Sequence, residues 1–123
     1  MKSNKTEKAQ SPEDIPRLAL ARAAAGDAAG IADLYEPNAV LVIDKDGNTA
    51  AGKEAIKKFY EQLLKGNPDF GTIIQRPVLK GKNLALTSSK LADGTVTVEV
   101  ARLQSDNTWL WAVDNPSFVT KTY

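Results

Sequence analysis

Residues 81–116 read GKNLALTSSKLADGTVTVEVARLQSDNTWLWAVDNP, and the spacing of their turns decides the fold. Three short polar links, GKN, ADG and SDN, separate runs rich in β-branched and aromatic residues near 84–91, 95–104 and 108–114. Gly, Asn and Asp at such links supply turn geometry. A further run, near 71–80, precedes the first link. A parallel crossover needs a dozen or more residues, so runs joined this tightly pair antiparallel. The stretch is a meander.

Upstream, GKEAIKKFYEQLLKG (residues 52–66) changes the period. Ile56, Phe59, Tyr60, Leu63 and Leu64 fall at i, i+3, i+4, i+7 and i+8, the apolar stripe of a helix stopped by Gly66 and Pro68. Before it, VLVI (40–43) reads as a buried strand, and DKDGN (44–48) carries hairpin turn chemistry. Ser11 followed by Pro12 predicts the start of an alanine-rich helix running to about Ala25. Gly26 ends it, and Asp27 caps a second short helix through Leu34, closed by Pro37. Residues 1–10 show no apolar period and read as a mobile tail, leaving one domain over 11–123. Helices first and a meander last predict an α+β fold, one helical layer against one strongly curved sheet.

Composition then narrows the chemistry. The chain has 123 residues, a net charge of +1, and neither cysteine nor histidine. That removes disulfides, thiol nucleophiles, Ser-His-Asp triads and the usual zinc ligands. Acid-base work falls to Asp, Glu, Tyr or Lys, with pKa values tuned by burial. A charge near zero gives no field to recruit nucleic acid or an anionic membrane. No apolar run approaches the ~18 residues of a membrane span, and the polar N-terminus does not read as a secretory signal. The expectation is a cytoplasmic protein, in which the sequon Asn4-Lys5-Thr6 is accidental.

Two motifs fail on inspection. GNTAAGKE (47–54) puts Glu54 where a phosphate-binding loop needs Ser or Thr to hold magnesium. DKDG opens like a calcium loop, but its glycine comes early and Ala55 stands where the bidentate glutamate belongs. The expectation is therefore no cofactor and no metal.

The order of several local phrases resembles the nuclear transport factor 2-like superfamily, within it the SnoaL-like and ketosteroid-isomerase-like proteins. The phrases are GD before a short helix ending in LY, an AV strand, G…AI..FY opening the long helix, and W…DNP closing the sheet. The resemblance covers about residues 15–118 and implies a cone-like curved antiparallel sheet wrapped around a long helix, with two shorter N-terminal helices. It implies a hydrophobic pocket open at one end, and homodimers formed through the outer sheet face. Members include isomerases, cyclases and dehydratases alongside domains with no chemistry, so pocket residues must decide function.

Carried over residue by residue, the resemblance offers three acids. A carboxylate base near the end of the first strand matches either Ile43 or Asp44, depending on whether GD or the D..G turn is aligned; the bland reading of Asp44 is a turn acid. A protonated acid matches Glu99. Alternation along the strand competes, because it turns Val96, Val98 and Val100 inward and Glu99 toward water. Asp114 reads either as an acid-base residue acting alone, as single acids do in SnoaL-like cyclases, or, with Asn115, as a cap on the strand-to-turn transition ahead of Pro116. The family's tyrosine donor is missing from the first helix, where Leu18, Ala19 and Leu20 stand, and the Arg-x-Asp of its epoxide hydrolases is incomplete at Arg102. Tyr35 and Tyr60 read as packing or as walls of the site. Trp111, sharing a face with Trp109 and Val113, reads as core, interface or a flat wall for a ring.

The sequence thus predicts a pocket for a small apolar ligand. Glu99, Asp114 and Asp44 are the acid-base candidates, with Tyr35, Tyr60 and Trp111 shaping the site. The reaction class implied is cofactor-free proton transfer by an isomerase, cyclase or dehydratase. The alternative is a non-catalytic dimeric module binding a ligand or a partner protein.

Overall fold

The turn-separated runs do pair with their neighbours. The structure, a computed structural model, describes residues 7–68, 73–76 and 78–119. In chain order its elements are α1 (Asp14–Ala24), α2 (Ala28–Ala32), β1 (Tyr35–Val42), β2 (Thr49–Ala51), α3 (Lys53–Lys65), β3 (Ile73–Gln75), β4 (Leu79–Lys80), β5 (Leu84–Leu91), β6 (Val96–Leu103) and β7 (Trp109–Val119). One curved, open sheet runs in the order β2-β1-β7-β6-β5-β3, with β4 also on β5. Its pairs are antiparallel except β1 with β7, where the first long strand lies parallel to the last. The fold is α+β, as expected.

Several boundaries differ from those the sequence predicts, each for a local reason. Ser11 does not cap α1: residues 11–13 form a turn, with Asp14 N–H donating to Ser11 O at 3.1 Å, and the helix starts at Asp14. The Asp14 carboxylate instead accepts Gln10 N–H at 3.2 Å. The expected tail over 1–10 is corrected at its inner end. Ala9 is 1% exposed and accepts Trp109 N–H at 3.0 Å, so this segment docks beside β7. Residues 1–6 lie outside the described residues. The strand expected over 71–80 is two short ones, β3 and β4, with its first two residues outside the described set. β1 opens at Tyr35, ahead of Pro37. Pairing with β7 jumps from Tyr35↔Trp111 to Val40↔Val113, so the N–H that Pro37 lacks leaves no gap in the ladder.

The core lies between the helices and the concave sheet face, centred on Ile15, Leu18, Ile31, Leu34, Leu41 and Ile56. Helix α3 packs on α2, β1 and β2. It buries Ile56 and half-buries Phe59, Tyr60 and Leu64, while Leu63 stays 37% exposed. Gly52 starts α3 at φ +90°, a backbone conformation that side chains with a Cβ rarely adopt. Among the described residues no helix is long and apolar enough to cross a membrane.

Helix α2 is only five residues long and depends on its cap, the Asp27 carboxylate accepting Gly30 N–H at 2.9 Å. A Cβ at Gly30 would lie 2.2 Å from Asp27 Oδ2 and 3.1 Å from Arg22 Cδ. Alanine's better helix propensity is worth about 1 kcal/mol. Losing the cap and overpacking the site together cost about 2–4 kcal/mol. Gly30→Ala is therefore expected to lose about 1–3 kcal/mol, seen as a lower urea midpoint with an unchanged m value. A raised midpoint would mean that Asp27 swings aside without loss.

Candidate active site

A bulge in the last strand sets the site. Val100 pairs with Val113, but Ala101 pairs with Trp111, so Ala112 is an extra residue in β7. Side chains alternate along a strand, and one inserted residue reverses the parity beyond it. Trp109 and Trp111 face the interior before the bulge, and Asp114 faces it after, at 3% exposure. Without the insertion the parity of Trp111 would turn Val113 inward and send Asp114 to the outer face, where Val113, 44% exposed, now lies. The strand continues past Pro116 to Val119, so Asp114 is not the cap of a strand end.

Strand β6 presents Thr97, Glu99 and Ala101 inward and leaves Val96, Val98 and Val100 half-buried on the outer face. Glu99 therefore points inward, the direction the resemblance implies and not the one alternation favours. It pairs directly with Asp114 across β6–β7 and with Thr87 across β5–β6. Directly opposed residues have Cβ atoms roughly 4.5–5.5 Å apart, so the two carboxyls are neighbours.

Two hydrogen-bonded chains hold them. Trp111 Nε1–H donates to Thr87 Oγ1 at 3.2 Å, and the Thr87 hydroxyl donates to Glu99 Oε1 at 2.6 Å. On the other side, Tyr35 O–H donates to Asp114 Oδ2 in a short contact. The hydroxyls of Tyr60 and Tyr35 are 2.9 Å apart; with the Tyr35 proton engaged, Tyr60 is the donor. The Tyr35 ring meets Trp111 edge-on, with centroids 5.3 Å apart. Asp114 Oδ1 is buried and has no hydrogen-bond partner. Orphaned buried polar atoms are rare, and each calls for a physical explanation.

Both carboxyls are pushed up. Burial is the main cause for Asp114, the Glu99 charge is second, and only the Tyr35 hydrogen bond opposes them; the result is about 8. Burial also raises Glu99, against the hydroxyls of Thr87 and Thr97, which lower it. Two adjacent carboxyls cannot both ionise cheaply, so the pair retains a proton near neutral pH. Burial likewise raises Tyr35 and Tyr60, whose phenols stay protonated donors.

Both acids line a cavity of about 170 Å³. Its walls are mostly apolar: Ala19, Leu20 and Ala23 from α1, Ile31 from α2, and Leu91 and Pro116 from the sheet. Tyr60 and Trp111 line it, and Tyr35 is fully buried behind them. The structure therefore brings together Glu99, Asp114, Tyr35, Tyr60 and Trp111. Asp44 is not among them. It sits in the exposed β1–β2 turn, where its carboxylate accepts the N–H groups of Asp46 and Asn48 and the Asn48 side-chain amide at 2.8–3.1 Å. Those bonds lower its pKa. Asp44 is thus a turn acid, and its expected place in the pocket is corrected. Thr87 was missed. Its signal was the run Thr87-Ser88-Ser89 amid apolar residues, all three buried. Among the described residues no three acidic side chains gather as a metal site would require.

No curated protein matches the chain. Solved structures do. A domain of unknown function with a cystatin-like fold from Nostoc punctiforme superposes with a TM-score of 0.69 at 14% identity, covering 87% of this chain and 75% of that one. A ketosteroid isomerase-like protein from Erwinia carotovora atroseptica gives 0.64 at 15% identity, over 84% and 89% of the two chains. An NTF2-like protein of unknown function from Pseudomonas putida gives 0.60 at 15%, over 84% and 80%. At these identities the likeness shows the fold, which is nuclear transport factor 2-like. The model of the SnoaL-like domain family matches residues 17–115, from within the first helix through Asn115, and the chain belongs to that family.

Proposed function

We propose that the protein binds a small, largely apolar molecule in this cavity and moves a proton on it without a cofactor. The observation that carries this reading is the pair of adjacent buried carboxyls, Glu99 and Asp114, lining a mostly apolar cavity. Hydroxyl donors from Thr87 and Thr97 favour charge on Glu99, whereas Asp114 has one donor and a free oxygen. The retained proton belongs on Asp114 Oδ1. Environments that push two carboxyls apart define an acid and a base. Glu99 takes a proton from carbon beside a carbonyl, and Asp114 donates a hydrogen bond to the oxygen on which charge develops. Returning the proton to the same carbon gives exchange; returning it to another gives isomerisation. Thr87 and Trp111 position the base, and Tyr35 and Tyr60 position the acid.

The test is exchange of the α-protons of cyclohexanone in D₂O, followed by NMR. We expect exchange faster than in buffer, with the rate falling as Asp114 ionises near pH 8. Binding without any exchange would leave the non-catalytic module instead.

The second part of the proposal is a homodimer through the outer sheet face. Val40, Val113, Val100, Leu86 and Leu79 align across five strands as one apolar row. Leu79 is 68% exposed, Val113 44% and Leu86 37%. Contiguous apolar surface of this kind supports an interface. Val113→Asp would bury an unpaired charge there at about 3 kcal/mol or more, weakening a dimer over 100-fold. Sedimentation is expected to show a dimer for the parent and a folded monomer for the variant; a monomeric parent would remove this part of the proposal.

A further inference from the structure

The size and charge of the cavity narrow the substrate class, an inference that rests on the proton-transfer reading above. An apolar protein cavity of roughly 150 Å³ takes a single benzene, whereas drug-sized ligands occupy roughly 300–1,000 Å³. At about 170 Å³, this cavity has room for one ring or a short branched chain. The Trp111 ring forms part of its wall, with Tyr35 packed edge-on against that ring. Both are buried, and close-packed protein interiors yield little.

Charge gives the second limit. Among the described residues no Lys or Arg lines the cavity, and its ionisable groups are the two acids and Tyr60. Arg22 is held elsewhere, donating to the carbonyls of Gly30 at 2.8 Å and Glu7 at 2.5 Å. An anionic ligand would shed its water beside an acid pair and meet no cation, which is costly. A different cleft, of about 490 Å³, does contain lysines, but they are paired: Lys8 with Asp106 at 3.0 Å and Lys53 with Asp33 at 3.3 Å. It shares no residue with the acid pair's cavity.

The third limit comes from Asp114 Oδ1, the buried atom without a partner. A ligand packed against Asp114 that offers no polar atom leaves this oxygen unsatisfied. One carrying a single oxygen at one end of an apolar body satisfies it and keeps its remaining surface against Ala19, Leu20 and Ile31. We propose that the site selects small neutral carbonyl compounds of about one ring, and turns away both fused-ring ketones and carboxylates.

Calorimetry on the full chain at neutral pH tests this with four probes: cyclohexanone, 2-decalone, a steroid enone and cyclohexanecarboxylate. Cyclohexanone is expected to bind at least ~10-fold more tightly than the carboxylate. The two larger ketones are expected to bind no more tightly than cyclohexanone, although added apolar surface alone would raise affinity with every ring. Affinity that climbs with ring number overturns the size limit. Equal binding of the carboxylate overturns the charge limit. Either result leaves proton transfer standing if the tighter ligand's α-protons exchange. No binding by any of the four overturns the proposal together with the pocket reading beneath it.

Discussion

Acidifying the protein from about pH 9 to pH 5 is expected to stabilise it, and Asp114→Asn is expected to remove most of that dependence. In the folded chain Asp114 titrates at about 8, because burial and the Glu99 charge oppose its ionisation. Unfolded, it titrates near the ordinary value of about 3.9. Between those values the folded state holds a proton that the unfolded state has lost. Stability therefore falls as pH rises through this window and is fully reduced above the folded value. Every tenfold difference in acidity between the two states is worth about 1.4 kcal/mol, so the swing is on the order of 5 kcal/mol, a large fraction of a small domain's total. Glu99, raised by burial, adds to it with the same sign. Asp44 and Asp106 are lowered and work in the opposite direction, losing their contribution as pH falls below the carboxylate range. Both are exposed, so the acid limb is shallow. Urea midpoints at a series of pH values measure the effect. An amide at this position cannot ionise, and the variant is expected to exceed the parent in stability at about pH 9. Parallel curves for parent and variant would show that Asp114 ionises as readily folded as unfolded, and the buried acid pair would be lost.

How much of this was legible in the sequence depends on what interrupts periodicity. The meander was readable because GKN, ADG and SDN are turn chemistry at strand spacing, and turn chemistry is local. The direction of Asp114 was not. Parity counting from Trp111 fails at the bulge, and Ala112 carries no Gly, Pro or Asn to announce it. Glu99 was misread by alternation for a different reason. Valines ordinarily face a core, but the concave face of β6 borders a cavity, so its polar residues are inside and its valines outside. Tyr35 and Tyr60 looked like packing because their sequence neighbours are apolar. The partner that makes them polar, Asp114, is 79 residues from Tyr35 and reaches it only through the β1–β7 pairing. Asp44 was ambiguous by one residue, and a strand assigns opposite faces to adjacent positions.

Conservative substitutions of the two acids are expected to affect proton transfer unequally, and the inequality assigns their roles. Glu99→Gln keeps the shape and the Thr87 hydrogen bond but cannot accept a proton from carbon. Loss of a positioned general base costs typically ~10²–10⁴-fold, and α-proton exchange is expected to fall by that factor. Asp114→Asn still presents an amide N–H toward the cavity, so an oxyanion donor survives in weaker form and the loss is expected to be only about 10-fold. The double variant is expected to be little slower than Glu99→Gln alone, because groups acting on one transition state are not additive. Thr87→Val gives a third, independent reading. The Thr87 hydroxyl lowers the pKa of Glu99, so its removal moves the acid limb of the exchange profile to higher pH without closing the cavity. If Asp114 were the base, the asymmetry would reverse: Asp114→Asn would abolish exchange, Glu99→Gln would retain about a tenth of it, and Thr87→Val would leave the acid limb in place. Equal small losses from every variant would instead show that neither acid touches the moving proton, and the cavity would be a binding site only.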